Sequence, residues 1–142
     1  MTLYLDCEFN GHGGQLISMA LVSDVDGTNF YQVSREVLEK PIEPWIAANV
    51  TPKLGKEGVP YKTFRALLCL YLNQHLGEPI IADWPHDFVL LMNVMQGDSY
   101  EQSFMVPCTM RLIQSGSFTP DNPHNALSDA VALMNWCKEN LK

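Results

Sequence analysis

The chain has 142 residues, 46% of them hydrophobic and 18% charged, with a formal net charge of −7. This length is typical of a domain whose core needs no staples, and we expect one domain over residues 1–142. The acidic balance disfavours a partner bound mainly through its phosphates, unless bound cations reverse the local field, and no apolar run is long enough to span a bilayer.

The four cysteines are scattered and form no Cys-x-x-Cys pair: Cys7, Cys69, Cys108 and Cys137. Each lies in an apolar context, so we expect buried free thiols in a reducing compartment rather than disulfides or a zinc site. The N-terminal segment has neither the basic region nor the long apolar stretch of a secretory signal. We therefore expect a cytoplasmic protein that does not associate with membranes.

Three strands are predicted near the start of the chain, over residues 2–9, 15–24 and about 28–34. In the first strand, apolar residues alternate with Tyr4, Asp6 and Glu8, which places the two carboxylates on one face. The pair Asp26-Gly27 is typical of a hairpin turn and joins the second strand to the third. We expect these three strands to be antiparallel neighbours.

Helices dominate the rest of the chain. They are predicted at about 43–49, from 60 to 77, from 85 onward and at about 125–140. A strand is predicted at 79–83, and a strand or extended segment is predicted before 109. Loops are predicted at 51–60 and 97–103. This order indicates an α/β fold, with a mixed sheet flanked by helices. Ligands of such sheets bind near the C-terminal ends of the strands.

Two carboxylates at the end of the first strand are candidate site residues. Asp6 and Glu8 share a face, and burying both without compensation raises the pKa of at least one. A bound divalent cation is the usual reason for such a pair. The alternative is an exposed sheet face on which both acids pair with lysines. Phe9 follows them at a strand end that opens into a loop, where sites commonly form.

Asp87 lies in the first turn of the helix that begins at Pro85. A carboxylate there offsets the helix dipole by about 0.3–1 kcal/mol, so the local pattern alone favours a structural role. Asp83, just before this helix, is interpreted as a capping acid. If Asp87 points outward, Asp83 is its replacement in the site.

His124 and Asp129 flank the start of the last helix, for which Asn125 is the expected N-cap. In that arrangement Asp129 is fixed on a rigid turn, whereas His124 lies on the incoming loop. A fixed metal ligand beside a mobile base is one interpretation. A surface histidine that precedes a helix is the other.

These features in chain order resemble the DEDDh exonucleases: a D-x-E strand, a central Asp that opens a helix after a buried strand, and HNALSDA near the C-terminus. That superfamily shares the RNase H-like fold and includes RNase T, oligoribonuclease and proofreading subunits. The small single-domain 3′–5′ exoribonucleases are the branch that LYLDCEFNG, LISMALV, YQVS and W-I-x-x-N-V-x-P-K-L resemble. The similarity spans about residues 3–137.

The resemblance implies a role for each candidate residue. Four carboxylates would bind two Mg²⁺ or Mn²⁺ ions about 4 Å apart: Asp6, Glu8, Asp87 and Asp129. His124 would be the general base. Phe9 would either stack on the terminal base or ribose or pack in the core. The expected reaction is stepwise hydrolysis of single-stranded RNA or a 3′ overhang to nucleoside 5′-monophosphates, and a homodimer is implied.

Some assignments have alternatives. His86 directly precedes Asp87 and competes for the roles of base and ligand, but the spacing of His124 to Asp129 matches the superfamily. DNA or very short oligonucleotides are alternative substrates, because no residue indicates how a 2′-hydroxyl is treated. A non-catalytic nucleic-acid or nucleotide-binding module and a small-molecule phosphodiesterase are the other hypotheses.

Overall fold

A five-stranded mixed sheet in the order β3-β2-β1-β4-β5 lies at the centre of the computed structural model, which describes residues 1–97, 103–104 and 106–141. The strands are β1 (Leu3–Phe9), β2 (Leu16–Ser23), β3 (Asn29–Val33), β4 (Ile80–Ala82) and β5 (Met110–Leu112). The helices are α1 (Arg35–Leu38), α2 (Pro44–Asn49), α3 (Tyr61–Gln74), α4 (Pro85–Gln96) and α5 (Ala126–Asn140), with a 3₁₀ turn at Thr51–Lys53.

The strand directions confirm the predicted α/β class and its mixed sheet flanked by helices. The pairs β1–β2 and β2–β3 are antiparallel, whereas β4 pairs in parallel with β1 and with β5. The last strand was expected before Thr109, but it follows that residue, because its parallel ladder with β4 starts at Met110. The short helix α1 and the 3₁₀ turn lie where no helix was predicted, and most of the loop expected at 97–103 lies outside the described residues.

The two faces of β1 pack against different helices. Leu3, Leu5 and Cys7 join the larger core with residues of α3 and α4. Tyr4 points the other way, into a cluster with Leu133 and other residues of α5. Because side chains alternate along a strand, Asp6 and Glu8 lie on the α5 face. The sequence pattern of β1 is therefore reproduced, and it directs both acids toward the last helix.

The structure also gives the state of the four cysteines and the lengths of the helices. All four thiols are free; Cys7 and Cys137 are buried, and Cys69 and Cys108 are partly exposed. Within the described ranges, no helix is both long enough and apolar enough to cross a bilayer.

Candidate metal centre

Five carboxylates meet at the C-terminal end of β1. Asp6 forms one group with Asp83 and Asp87, and a second group with Glu8 and Asp129. Within each group, one carboxylate oxygen per residue lies within 4.8 Å of the others. Asp6 thus belongs to both groups. The four carboxylates expected to bind metal are brought together, and Asp83 is a fifth that the sequence did not place there.

Asp87 reaches this cluster because α4 starts at the end of the sheet. It lies in the first turn of that helix, its side chain is buried with only 1% exposed, and it accepts a hydrogen bond from the backbone N–H of Cys7. An acid present only to offset a helix dipole would lie at the surface. The buried position therefore argues against the purely structural interpretation of Asp87.

Asp83 directly follows β4, whose parallel pairing with β1 brings the C-terminal ends of the two strands to the same edge. Its carboxylate accepts a hydrogen bond from the Ser115 hydroxyl at 2.8 Å. The interpretation of Asp83 as a capping acid is wrong: the N-cap of α4 is Trp84, and no side chain caps the helix. Asp83 and Asp87 both belong to the group, so neither replaces the other.

Burial and like charge raise the pKa values of Asp6 and Glu8, the two acids of β1. Burial raises the pKa of Asp6 well above its usual range, and the charges of Asp87, Glu8, Asp129 and Asp83 raise it further. Burial also raises the pKa of Glu8 to about 8, helped by the charge of Asp129 and by a hydrogen bond that Glu8 donates to it. Burial and like charge therefore both disfavour the ionised form of Glu8.

The pKa values of Asp87 and Asp129, two further ligand candidates, are also raised. Burial, followed by the charge of Asp83, raises the pKa of Asp87 to about 8, although the Cys7 hydrogen bond opposes the shift. Burial raises the pKa of Asp129, while the Glu8 hydrogen bond and the nearby His124 lower it. Each of these acids is poorly stabilised as an anion by the protein alone.

The cluster has unused oxygen ligands and no basic partner. One oxygen each of Asp6, Asp87 and Asp129 is buried and lacks a hydrogen-bond partner in the described part of the chain. Among the described residues the ion pair is His75–Asp26, which lies outside the cluster. None of the five carboxylates therefore pairs with a described lysine or arginine. Buried, unpartnered carboxylate oxygens fit Mg²⁺ or Mn²⁺, which prefer oxygen ligands. No cysteine belongs to either group, which disfavours zinc.

His124 lies beside the cluster, just before α5. It lines a cavity of about 240 Å³ together with Asp6, Asp83 and Asp129, and its backbone N–H donates to Asp129. Its φ of 68° is in the left-handed region, which non-glycine residues adopt at an energetic cost, and strained residues of this kind cluster at functional sites. His124 therefore faces the space where a substrate would meet the carboxylates.

Asn125 fixes the chain next to His124. As predicted, it is the N-cap of α5, and its side-chain oxygen accepts from the Ser128 N–H at 3.1 Å. Its amide group donates to the Lys53 carbonyl at 2.8 Å and contacts the Tyr31 hydroxyl at 3.2 Å. This one buried side chain therefore ties the start of α5 to the 3₁₀ turn and to β3.

Trp45 is a candidate site residue that the sequence reasoning missed. Its indole ring meets the His124 ring edge-on, with centroids 5.1 Å apart, yet the residue is 55% exposed. Asn10 holds the preceding segment, because it accepts from the Glu43 N–H at 2.9 Å and donates to the Pro41 carbonyl at 3.0 Å. The sequence feature that could have indicated this residue is a tryptophan at the start of a short predicted helix.

Phe9 and His86 lie side by side at the other edge of the cluster. Their rings contact edge-on with centroids 4.7 Å apart, and Nε2 of His86 donates to the Gly14 carbonyl at 3.1 Å. Phe9 is partly buried and packs against the larger core. His86 lines a different cavity from the one that His124 shares with the carboxylates, which favours His124 as the base.

Comparison with known proteins gives no family assignment. No protein-family model matches the chain, and no curated protein matches its sequence significantly.

Proposed function

We propose that this protein is a divalent-metal-dependent 3′–5′ exonuclease that hydrolyses single-stranded RNA, or 3′ overhangs, to nucleoside 5′-monophosphates. One observation above all supports the proposal: two three-carboxylate groups share Asp6, and each contains a buried oxygen without a partner. Two cation sites that share one ligand match the requirement of phosphodiester hydrolysis by a metal pair.

The carboxylates would divide between the two ions by their grouping. Asp83 and Asp87 would serve one ion and Glu8 and Asp129 the other, with Asp6 common to both. When bound, the cations neutralise the phosphate and lower the pKa of water, which makes it a nucleophile. The raised pKa values of Glu8 and Asp87 mean that both acids must lose protons before they bind metal.

His124 is the proposed general base. Its cavity contains three of the five carboxylates, so its ring lies within the same space as a substrate phosphate. An imidazole is the side chain that most often acts as a general base, and it can accept a proton from an activated water. The edge contact with Trp45 and the Asn125 network restrict where the His124 ring can lie.

RNA as the substrate, a homodimer and a cytoplasmic location are parts of the same proposal. The preference for RNA rests on the resemblance of the motifs to small exoribonucleases. The four free thiols favour a reducing compartment. Light scattering coupled to size-exclusion chromatography tests the dimer.

The activity is tested with 5′-labelled RNA and DNA strands of matched sequence, incubated with Mn²⁺ and with EDTA. We expect a ladder of products shortened from the 3′ end, nucleoside 5′-monophosphates as the released species, faster cleavage of RNA, and no cleavage in EDTA. Faster cleavage of DNA would contradict the choice of RNA. Binding without turnover would indicate a non-catalytic module, and cleavage of a dinucleotide alone would indicate a small-molecule phosphodiesterase.

A further inference from the structure

A second cavity of about 480 Å³ lies at the same end of the sheet as the carboxylates. It is bounded by the loop between β1 and β2, by α1, by the start of α3 and by one side of α4. Leu16 and Leu90, which line it, belong to the core on the α3 and α4 face of the sheet. We call this cavity the α4 groove.

Two rings connect the α4 groove with the carboxylate cluster. Phe9 directly follows Glu8, and His86 directly precedes Asp87. The rings touch edge-on, and His86 both lines the groove and donates to the Gly14 carbonyl on the opposite wall. This pair of rings therefore lies between the carboxylate cluster and the groove at the end of the sheet.

The charges that line the groove suit a phosphate. Lys40 has no acidic partner in the described residues, and its Nζ lies 3.4 Å from the neutral side-chain oxygen of Gln15. Among the described residues of the lining, Glu36 is the one acid. Both of its oxygens accept from the Tyr61 N–H at the start of α3, where the helix dipole offsets its charge. Lys40 is thus an uncompensated cation in an acidic protein.

The remaining walls of the groove suit a nucleoside. Leu16, Leu90 and Val94 line the groove with apolar side chains that are almost fully buried, and the exposed Asn93 offers an amide that can donate to and accept from a base edge. Base binding through apolar and stacking contacts tolerates any sequence, as an exonuclease requires.

Another cavity of the described structure does not share these properties. It has a volume of about 640 Å³ and runs along the outer side of α5. Asp121 and Glu139 line it, and no described lysine or arginine does. A polyanion is therefore repelled on that side, which disfavours this cavity as the exit for a strand.

We propose that the α4 groove binds the nucleotide on the 5′ side of the scissile phosphate, with Lys40 paired to its phosphate and its base between Leu90 and Asn93. This inference rests on the proposed exonuclease function and adds to it the path of the retained strand. Removal of one lysine–phosphate contact lowers the slope of log(kcat/KM) against log[salt] by about 0.7 for a single strand.

The test compares a substrate that has upstream nucleotides with one that has none. The first is an RNA tetranucleotide, and the second is the p-nitrophenyl ester of uridine 5′-monophosphate, in which p-nitrophenolate replaces the upstream nucleotides as the leaving group; each variant is compared with the wild type on both. The groove variants are Lys40→Glu and Asn93→Glu. The matched controls are Lys138→Glu and Asn135→Glu, which make the same charge changes at exposed positions of α5.

We expect the ratio of kcat/KM for the tetranucleotide to kcat/KM for the ester to fall at least about tenfold in both groove variants, because each places a carboxylate against a phosphate. In the controls the ratio should stay within about twofold of the wild-type value. Melting temperatures near that of the wild type show that the variants are folded.

Each other outcome overturns the inference in a distinguishable way. A ratio that does not change in the groove variants means that the groove takes no part in binding the strand, while the exonuclease function stands. If wild-type protein with Mn²⁺ hydrolyses neither substrate, the proposed function itself fails and the subsite fails with it. Hydrolysis of the ester alone likewise rejects a strand-binding groove.

Discussion

Asp6 and Asp129 lie near opposite ends of the chain, yet their carboxylate oxygens lie within 4.8 Å of each other. The contact forms because α5 packs across the face of β1 that also carries Glu8. If both carboxylates were ionised, two like charges at this separation would repel each other by several kcal/mol at an effective dielectric constant near 20, and this repulsion is one cause of the raised pKa of Asp6. The fold therefore tolerates a local instability that bound cations would relieve.

Asp6→Asn should stabilise the metal-free protein. The substitution keeps the side-chain shape and removes the acid that is repelled by all four other carboxylates, so we expect a gain of at least about 1 kcal/mol at pH 8. Urea denaturation in EDTA measures it. In Mn²⁺ at about 100 times its Kd the order should reverse, because the wild type then gains about 2.7 kcal/mol from binding. Asp121→Asn, an exposed acid outside both groups, is the control and should change neither value.

The metal-free protein should lose stability as the pH rises from about 4 to about 8. Glu8 and Asp87 have a pKa of about 8 in the folded chain and ordinary values near 4 when unfolded. Below pH 4 both acids are protonated in the folded and in the unfolded state. Between pH 4 and pH 8 only the folded state retains these protons, so the free energy of unfolding falls as the pH rises. The loss is complete above pH 8.

Melting curves in EDTA between pH 5 and 8.5 measure this loss. A change of 1 kcal/mol shifts the melting temperature of a domain this size by about 4 °C, so a decrease of several degrees is expected. The double variant Glu8→Gln, Asp87→Asn should show a flatter profile, and saturating Mn²⁺ should remove most of the dependence in the wild type. A metal-free melting temperature that rises over this range would contradict the assigned pKa values.

His124→Gln should separate catalysis from metal binding. Loss of a general base lowers kcat by about 10²–10⁴-fold, whereas the carboxylates are untouched, so the affinity for Mn²⁺ should stay within a few-fold. Steady-state kinetics and metal titration on the same preparation give both quantities. His12→Gln, which changes an exposed histidine in the turn after β1, is the control. Equal activity of His124→Gln and wild type would remove His124 from the mechanism.

Asn125→Asp should keep the helix cap and lose the two donors that hold the neighbouring backbone. The Ser128 N–H retains its acceptor, but the partly buried Lys53 carbonyl loses its partner, which costs about 1–3 kcal/mol. Chemical denaturation measures this cost. Asn135→Asp, an exposed position on α5, should change stability by less than about 0.5 kcal/mol. We also expect a lower kcat for Asn125→Asp, because its network positions His124.

Local sequence patterns predicted the parts of the fold and site that local physics determines. The alternation of β1 set the shared face of Asp6 and Glu8, and the N-cap preference of asparagine located the start of α5. Asp87 could be assigned only through the resemblance, because an acid in a first helical turn is typical of any helix.

Long-range pairing explains what the sequence could not show. Asp83 enters the cluster only because β4 lies parallel to β1, and no local signal reports which strands are neighbours. Trp45 reaches His124 through the two hydrogen bonds of Asn10, which join distant segments. The position of β5 after Thr109 likewise depends on its partner β4.

Calorimetric titration of the wild type and of Asp6→Asn with Mn²⁺ at pH 8 tests most directly whether these carboxylates bind a pair of cations. We expect two equivalents in the wild type and, in the variant, loss of at least one equivalent or a fall in affinity of more than about 100-fold, since Asp6 serves both groups. Absence of binding to the wild type, or an unchanged titration of Asp6→Asn, would show that the cluster is not a metal centre.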